Sequence, residues 1–268
     1  TFRKIEPAMI PILFDDENIL IVNKPAGVAM HDSDALPSHH PDQPPKGIVS
    51  LLREQTSLDK LFLCHRLDTG TSGCLCLAKN DVTAAEIGAL FAERRVSKYY
   101  LALSNNKPKK KQGTVIGDMK NRRNGQHILL KTTDNPAITQ FFSQSARPGL
   151  RGFIVKPYSG KTHQIRVALK SLGAPILGDT LYGDKGQNSH ADRLYLHAAV
   201  LTLPLKTQTI RVEAPLCQGS EFDDEQVKTW LASVSQPEQL PWPVVPDKYQ
   251  HISEKPAFTS LNKNNDEH

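Results

Sequence analysis

Short strand-like runs, rather than long amphipathic periods, dominate this chain of 268 residues and restrict it to a fold built on a sheet. After the acidic turn Asp15-Asp16-Glu17-Asn18, the run Ile19-Leu20-Ile21-Val22 reads as a buried strand, ended by the turn Asn23-Lys24-Pro25-Ala26-Gly27. Leu61-Phe62-Leu63-Cys64 and Cys74-Leu75-Cys76-Leu77-Ala78 are further apolar runs, and strands are expected over 98–103, 138–142, 152–156, 194–203 and 209–213. Helical patterning is sparser. One candidate covers 48–53. In a second, Asn80 or Asp81 can act as the cap, Ala84, Ile87, Gly88 and Phe91 share one face, and Arg94-Arg95 suit the negative C-terminal end. Ile165, Ala168, Leu169 and Leu172 mark a third, starting near Thr162 and stopped by Gly173, and a fourth, amphipathic, lies around 223–234. Strands outnumber helices and do not alternate regularly with them, which argues against a doubly wound sheet. The expectation is an α+β fold with a mainly antiparallel or mixed central sheet flanked by helices and loops. One domain is expected over 1–215, with its core at about 12–215, then a helix within 216–235 and a mobile, Pro-rich polar tail over 236–268.

The function classes that remain are few. Hydrophobic content of 38% with 23% charged residues suits a soluble globular chain. No apolar run approaches the ~20 residues of a membrane span, and the stretch from Thr1 to Pro7 lacks a secretory pattern, so a cytoplasmic, membrane-free protein is expected. Cys64, Cys74, Cys76 and Cys217 have neither zinc nor disulfide spacing and read as reduced core residues. His31, His39 and His40, with Asp32 and Asp34, imitate a metal site but stand in a Pro-rich, patternless loop, so no metal is expected. Neither Gly-x-Gly-x-x-Gly nor Gly-x4-Gly-Lys-Ser/Thr is present, and no serine stands in a nucleophile elbow. Chemistry by side chains alone, without a cofactor, is the expectation.

Charge and one motif point further. The net charge is +5, and from Arg94 to Lys131 lie Arg94, Arg95, Lys98, Lys107, Lys109, Lys110, Lys111, Lys120, Arg122, Arg123 and Lys131 against a lone acidic Asp118. Such a segment either meets phosphates or is a solvated loop. His65-Arg66-Leu67-Asp68-Thr69-Gly70-Thr71-Ser72-Gly73 sets a carboxylate, Asp68, between an arginine and a Gly/Thr/Ser turn. An ionised aspartate there can attack an electrophilic carbon or take a proton, with Arg66 or Arg166 as the cation that keeps it charged; alternatively it only caps the turn. Tyr99 and Tyr100 are adjacent in a strand, so one ring can be core while the other faces a site.

Taken in order, 23–27, 65–73, Lys98-Tyr99-Tyr100-Leu101-Ala102, 160–167, 178–183 and 193–198 resemble the signature segments of the RluA-type RNA pseudouridine synthases, over roughly residues 12 to 215. The resemblance implies the catalytic fold of that family and isomerisation of a specific uridine in structured RNA, ribosomal RNA ahead of transfer RNA, by a cofactor-free monomer. Asp68 would start the reaction, Tyr100 would stack on the uracil and help remove the C5 proton, and Arg166 would pair with Asp68. Lys24, His65, Arg66, Thr71, Ser72, Lys109, Lys110 and Lys111 are the candidate substrate contacts, with Arg66 expected to fill the space the flipped base vacates. Ala168 departs from the histidine of many relatives. The chain begins almost directly on the matched region, so RNA affinity is expected from this domain itself, through 94–131 and the Arg147 to Arg151 region. The 30–47 loop and the 235–268 tail look peculiar to this chain. Two other readings are an RNA-binding or RNA-folding factor that keeps the fold without catalysis, and a carboxylate-based glycoside hydrolase. The hydrolase needs a second carboxylate; Asp179 is the nearest candidate and is expected to be structural.

Overall fold

The strand-like runs join into one mixed sheet in the computed structural model, which describes residues 9–33, 44–183, 186 and 190–250. In chain order the elements are β1 (Ile12–Asp15), β2 (Ile19–Lys24), α1 (Ile48–Thr56), β3 (Phe62–Leu63), β4 (Ser72–Ala78), α2 (Asp81–Ala92), β5 (Ser97–Ser104), β6 (Gln112–Gly117), β7 (Met119–Asn121) and β8 (His127–Leu129). Then follow β9 (Ala137–Arg147), β10 (Leu150–Pro157), α3 (Gln164–Ser171), β11 (Leu196–Pro204), β12 (Thr209–Glu213), α4 (Glu225–Ser233) and α5 (Asp247–Gln250). The sheet order is β1-β2-β4-β11-β5-β10-β9-β6, with β3 beside β4 and β12 beside β11, while β7 and β8 form a separate hairpin. Every pairing is antiparallel except β4 with β11. The α+β expectation holds.

Period-two alternation divides the buried side chains between two faces. Ile19 and Ile21 of β2, Cys74 and Cys76 of β4, and Leu201 and Leu203 of β11 pack on one face beneath Ile87 and Leu90 of α2. Leu20, Val22, Leu75 and Leu77 fill the main core on the other, with Leu169 of α3 and Trp230 of α4. Each fully buried aliphatic side chain contributes about 1.5–3 kcal/mol. Helix α2 is aimed by its cap: Asn80 Oδ1 accepts from the Thr83 backbone N–H at 2.9 Å, an arrangement worth about 1 kcal/mol. The parallel β4–β11 contact depends on Gly73, at φ +112°, where a Cβ would lie 2.2 Å from the Ala198 carbonyl oxygen.

Several expectations shift. Strand β11 begins at Leu196 rather than 194, because Tyr195 is engaged in a crossing connection: its N–H donates to Leu177 O and its carbonyl accepts from Leu103 N. The basic 94–131 segment is neither a loop nor uniformly exposed, since it builds β5, β6 and the β7–β8 hairpin, and Lys98 is buried. Cys217 is exposed, unlike the other three cysteines. Of the expected loose tail, 236–250 is packed instead. Trp242 lies 4.8 Å from Phe142 and 5.8 Å from Tyr99 between ring centroids, and Val245 and Tyr249 cluster with Ile138. The aromatic residues within the Pro-rich stretch supply enough apolar area to hold it on the sheet. His39, His40, Asp34 and residues 251–268 lie outside the described residues. No described helix is long and apolar enough to cross a membrane, and no group of three potential metal ligands occurs among the described residues.

Candidate active site

Two cavities meet at Asp68. The smaller, about 170 Å³, is walled by Gly88 and Phe91 of α2, Tyr100 of β5 and the 157–166 segment; the larger, about 730 Å³, runs past Met30, Thr180 and Arg193. Arg66, Leu67, Asp68, His163 and Arg166 line both. Asp68 stands in the connection between β3 and β4, where the Thr71 N–H donates to its carbonyl at 2.9 Å and closes the turn. Its side chain is 23% exposed, enough for a substrate to reach it.

Helix α3 supplies the cation. Its apolar face is buried as its spacing indicates, and Arg166 is buried as well, 7% exposed, while it lines both cavities. Its Nε and Nη2 donate to Asp179 Oδ2 and Oδ1, each at 2.8 Å, and Nη1 donates to Asp68 Oδ2 at 3.2 Å. Asp179 is fully buried and also accepts from the backbone N–H groups of Leu181 and Tyr182. The two-point fork fixes the plane of the guanidinium, leaving its third nitrogen aimed at Asp68. Burial opposes the charge on Arg166, but the hydrogen bonds and charge of Asp179 and the charge of Asp68 outweigh it and hold the group above its ordinary pKa. Asp179 is therefore a structural partner of Arg166, and the Tyr182 ring closes the other side at 5.2 Å.

Tyr100 faces the smaller cavity, while Tyr99 faces the opposite side and packs on Trp242. Burial, and then the Asp68 charge, push the Tyr100 phenol well above its ordinary pKa, so it stays protonated at neutral pH. His163, whose left-handed φ of 57° lets it start α3, joins its Nδ1 to Tyr182 Oη at 2.9 Å. Tyr182 Oη also accepts from the His127 N–H at 2.8 Å.

The candidate contacts are distributed unevenly. Arg66 is exposed where the two cavities meet and, like Asp68, lines both. Thr71 and His65 line the smaller cavity. The His65 ring stacks on Phe91 at 4.7 Å, and burial, with the Lys98 charge, drives its pKa down to about 3. Its Nε2 thus accepts from the Cys76 N–H at 3.0 Å.

Lys24 and Ser72 require correction, because neither lines a cavity. Lys24 is fully buried and donates to the carbonyls of Pro25, Val28 and Thr69, so it ties the Asp68 turn to the 24–28 turn. Burial, reinforced by Arg193, lowers its pKa to about 7. Ser72 Oγ accepts from Arg193 Nη2 at 2.6 Å and hydrogen-bonds His197 Nδ1 at 2.7 Å, deep in the sheet. Lys109, Lys110 and Lys111 sit exposed on the β5–β6 link, outside both cavities. Sequence reasoning missed the site positions of Lys98, His163 and Tyr182. For Lys98 a signal existed, since it stands two residues from Tyr100 in a strand and therefore on its face.

Known proteins resemble this chain in sequence and in fold. A family model described as RNA pseudouridylate synthase matches residues 18–171. A Haemophilus influenzae protein named as an uncharacterized RNA pseudouridine synthase is 48% identical over 226 residues, covering 83% of this chain and 96% of its own length. The ribosomal large subunit pseudouridine synthase C of Rickettsia bellii is 33% identical over 214 residues, 76% of this chain and 68% of that protein. The solved structure of human RNA pseudouridylate synthase domain containing 1 shares the fold, with a TM-score of 0.64 at 24% identity over 90% of this chain and 100% of that one.

Proposed function

This chain belongs to the RNA pseudouridylate synthase family, RluA type, and from that premise we propose that it isomerises a specific uridine of structured ribosomal RNA at Asp68. One observation carries the assignment: a partly exposed carboxylate held by a guanidinium that is itself clamped by buried Asp179, at the junction of two cavities. That arrangement suits a group which must be charged, aimed and reachable before the substrate arrives. The uridine leaves its stack and its base enters the smaller cavity, with Tyr100 as the wall against which it stacks. Asp68 then initiates separation of the base from C1′, as nucleophile or as base, and Arg166 keeps it ionised and oriented. The raised pKa of the Tyr100 phenol makes it a stacking surface and hydrogen-bond donor in the resting site; it accepts the C5 proton only if it passes on its own.

The relative from Rickettsia bellii, named for the ribosomal large subunit, supports ribosomal RNA as target ahead of transfer RNA. Arg66, exposed at the junction of the cavities, fills the gap left in the RNA by the flipped nucleotide and offsets part of an unstacking cost of a few kcal/mol. The test is to map pseudouridines in ribosomal and transfer RNA with and without this gene, then restore it as wild type or as Asp68→Asn. Sites lost on deletion are expected to return only with wild type, the mutant turning over at least about 10³-fold more slowly while still binding RNA. No lost site, or full recovery with Asp68→Asn, refutes the assignment.

A further inference from the structure

We infer that Lys98 is a further catalytic residue, whose ammonium binds the carbonyl oxygens of the uracil and takes up the negative charge the base acquires when its bond to C1′ breaks. This inference rests on the proposed uridine reaction.

Lys98 and Tyr100 are alternate residues of β5, so both side chains project from one face into the smaller cavity. Lys98 is 9% exposed, and its Nζ lies 3.3 Å from the Ser159 carbonyl oxygen and 5.6 Å from the centre of the Phe91 ring. The stacked pair His65 and Phe91 forms the wall beside it, with His65 neutral. The cavity wall therefore carries Asp68 paired with Arg166 and, beside the His65–Phe91 pair, the Lys98 ammonium on a rigid strand; Arg66 and Lys161 line it as well. Asp68 is the only carboxylate among the described residues that line it.

The reaction moves negative charge from Asp68 to the base when Asp68 acts on the sugar, by either of two routes. If Asp68 attacks the sugar it becomes a neutral ester, and if it removes a sugar proton it becomes a neutral acid. In both cases the C1′–N1 bonding pair departs with the base and spreads over N1, O2 and O4. The base then turns and the C1′–C5 bond forms, which restores the Asp68 carboxylate by displacing it from C1′ in the first route and by returning its proton to the sugar carbon in the second; C5 loses its proton and N1 gains one, so the sum is an isomerisation. Negative charge thus shifts from Asp68 to the base, toward Tyr100 and Lys98, and back. A cation fixed where charge appears only after bond breaking favours the transition state over the bound substrate, and the burial of Lys98 strengthens that effect.

The experiment uses the full chain as wild type, Lys98→Met and Lys98→Arg, each checked by thermal melt. Single-turnover pseudouridine formation is measured on unmodified transcripts of the ribosomal and transfer RNAs of the source organism. Lys98→Met is expected to lower the saturating rate by about 10²-fold with RNA Kd changed less than about threefold, and Lys98→Arg to recover part of the rate. On transcripts carrying 5-fluorouridine, whose fluorine itself stabilises the base anion, the Lys98→Met penalty on consumption of the nucleoside should shrink. An unchanged saturating rate, a loss confined to Kd, or an equal penalty with both nucleosides overturns the role of Lys98. If Lys98→Met does not fold, Lys98→Gln takes its place under the same criteria. Wild-type protein that forms no pseudouridine on any of these RNAs overturns the uridine reading, and this inference with it.

Discussion

Tyr99 and Tyr100 are neighbours in β5, yet the two faces they serve hold a cation in opposite ways, half-buried Lys156 on one and buried Arg166 on the other. On the Tyr99 face, Lys156 Nζ lies 5.5 Å from the Tyr99 ring, 5.2 Å from Tyr158 and 5.8 Å from Trp242, a cation held by aromatic surfaces. Burial lowers its pKa, and it fastens the 236–250 segment to the sheet. On the Tyr100 face, Arg166 is held by carboxylates, with Asp179 satisfying two of its nitrogens and Asp68 meeting the third. A lysine among rings can shift without leaving a buried charge stranded, whereas a guanidinium between two aspartates cannot. The first arrangement fastens a segment; the second holds a reactive carboxylate in one position.

The strongest way to break this contrast is to remove one partner on each face. Asp179→Ala leaves Arg166 buried with half its partners gone and should lower stability by about 3–5 kcal/mol in denaturant unfolding, with turnover falling at least tenfold below the new melting range. Lys156→Met should cost under about 1 kcal/mol and leave turnover unchanged. Equal effects from the two would remove the distinction. A middle-sized test separates stability from chemistry: Trp242→Ala should destabilise by roughly 2–3 kcal/mol with the rate per folded molecule unchanged. Tyr100→Phe should keep the melting temperature nearly constant and slow turnover by about 10²-fold, and an unchanged rate would reduce Tyr100 to packing. The smallest effect is expected outside both faces. Neutralising Lys109, Lys110 and Lys111 together should leave the saturating rate alone and flatten the slope of log K against log salt by up to roughly 2–3. Binding curves at several salt concentrations that superpose on wild type would make this run a solvated link.

Much of the fold was readable because its signals are local. The runs at 19–22, 74–78 and 209–213 alternate or stay apolar over a strand's length, and Asn80 caps α2 as its position suggested. The packing of the 236–250 segment is not legible locally, because proline and polar residues resemble a loose tail and only the sheet gives Trp242, Val245 and Tyr249 their partners. In the site, Lys24 and Ser72 stand in signature segments, but a segment does not say which of its side chains turn inward. Lys24 turns beneath the loop to three carbonyls and Ser72 into the sheet. Lys98 was counted with the basic segment although its strand position pairs it with Tyr100.

By itself the sequence determined the class of fold, the family and the motif that carries Asp68, since each is written in neighbouring residues or in the order of short segments. Only the tertiary structure decided which charged groups share a cavity. Asp68 and Arg166 are 98 positions apart, and their pairing depends on how the sheet and α3 close around Asp179. Burial then gave those charges their force, because a contact that water would screen at the surface becomes strong and directional inside.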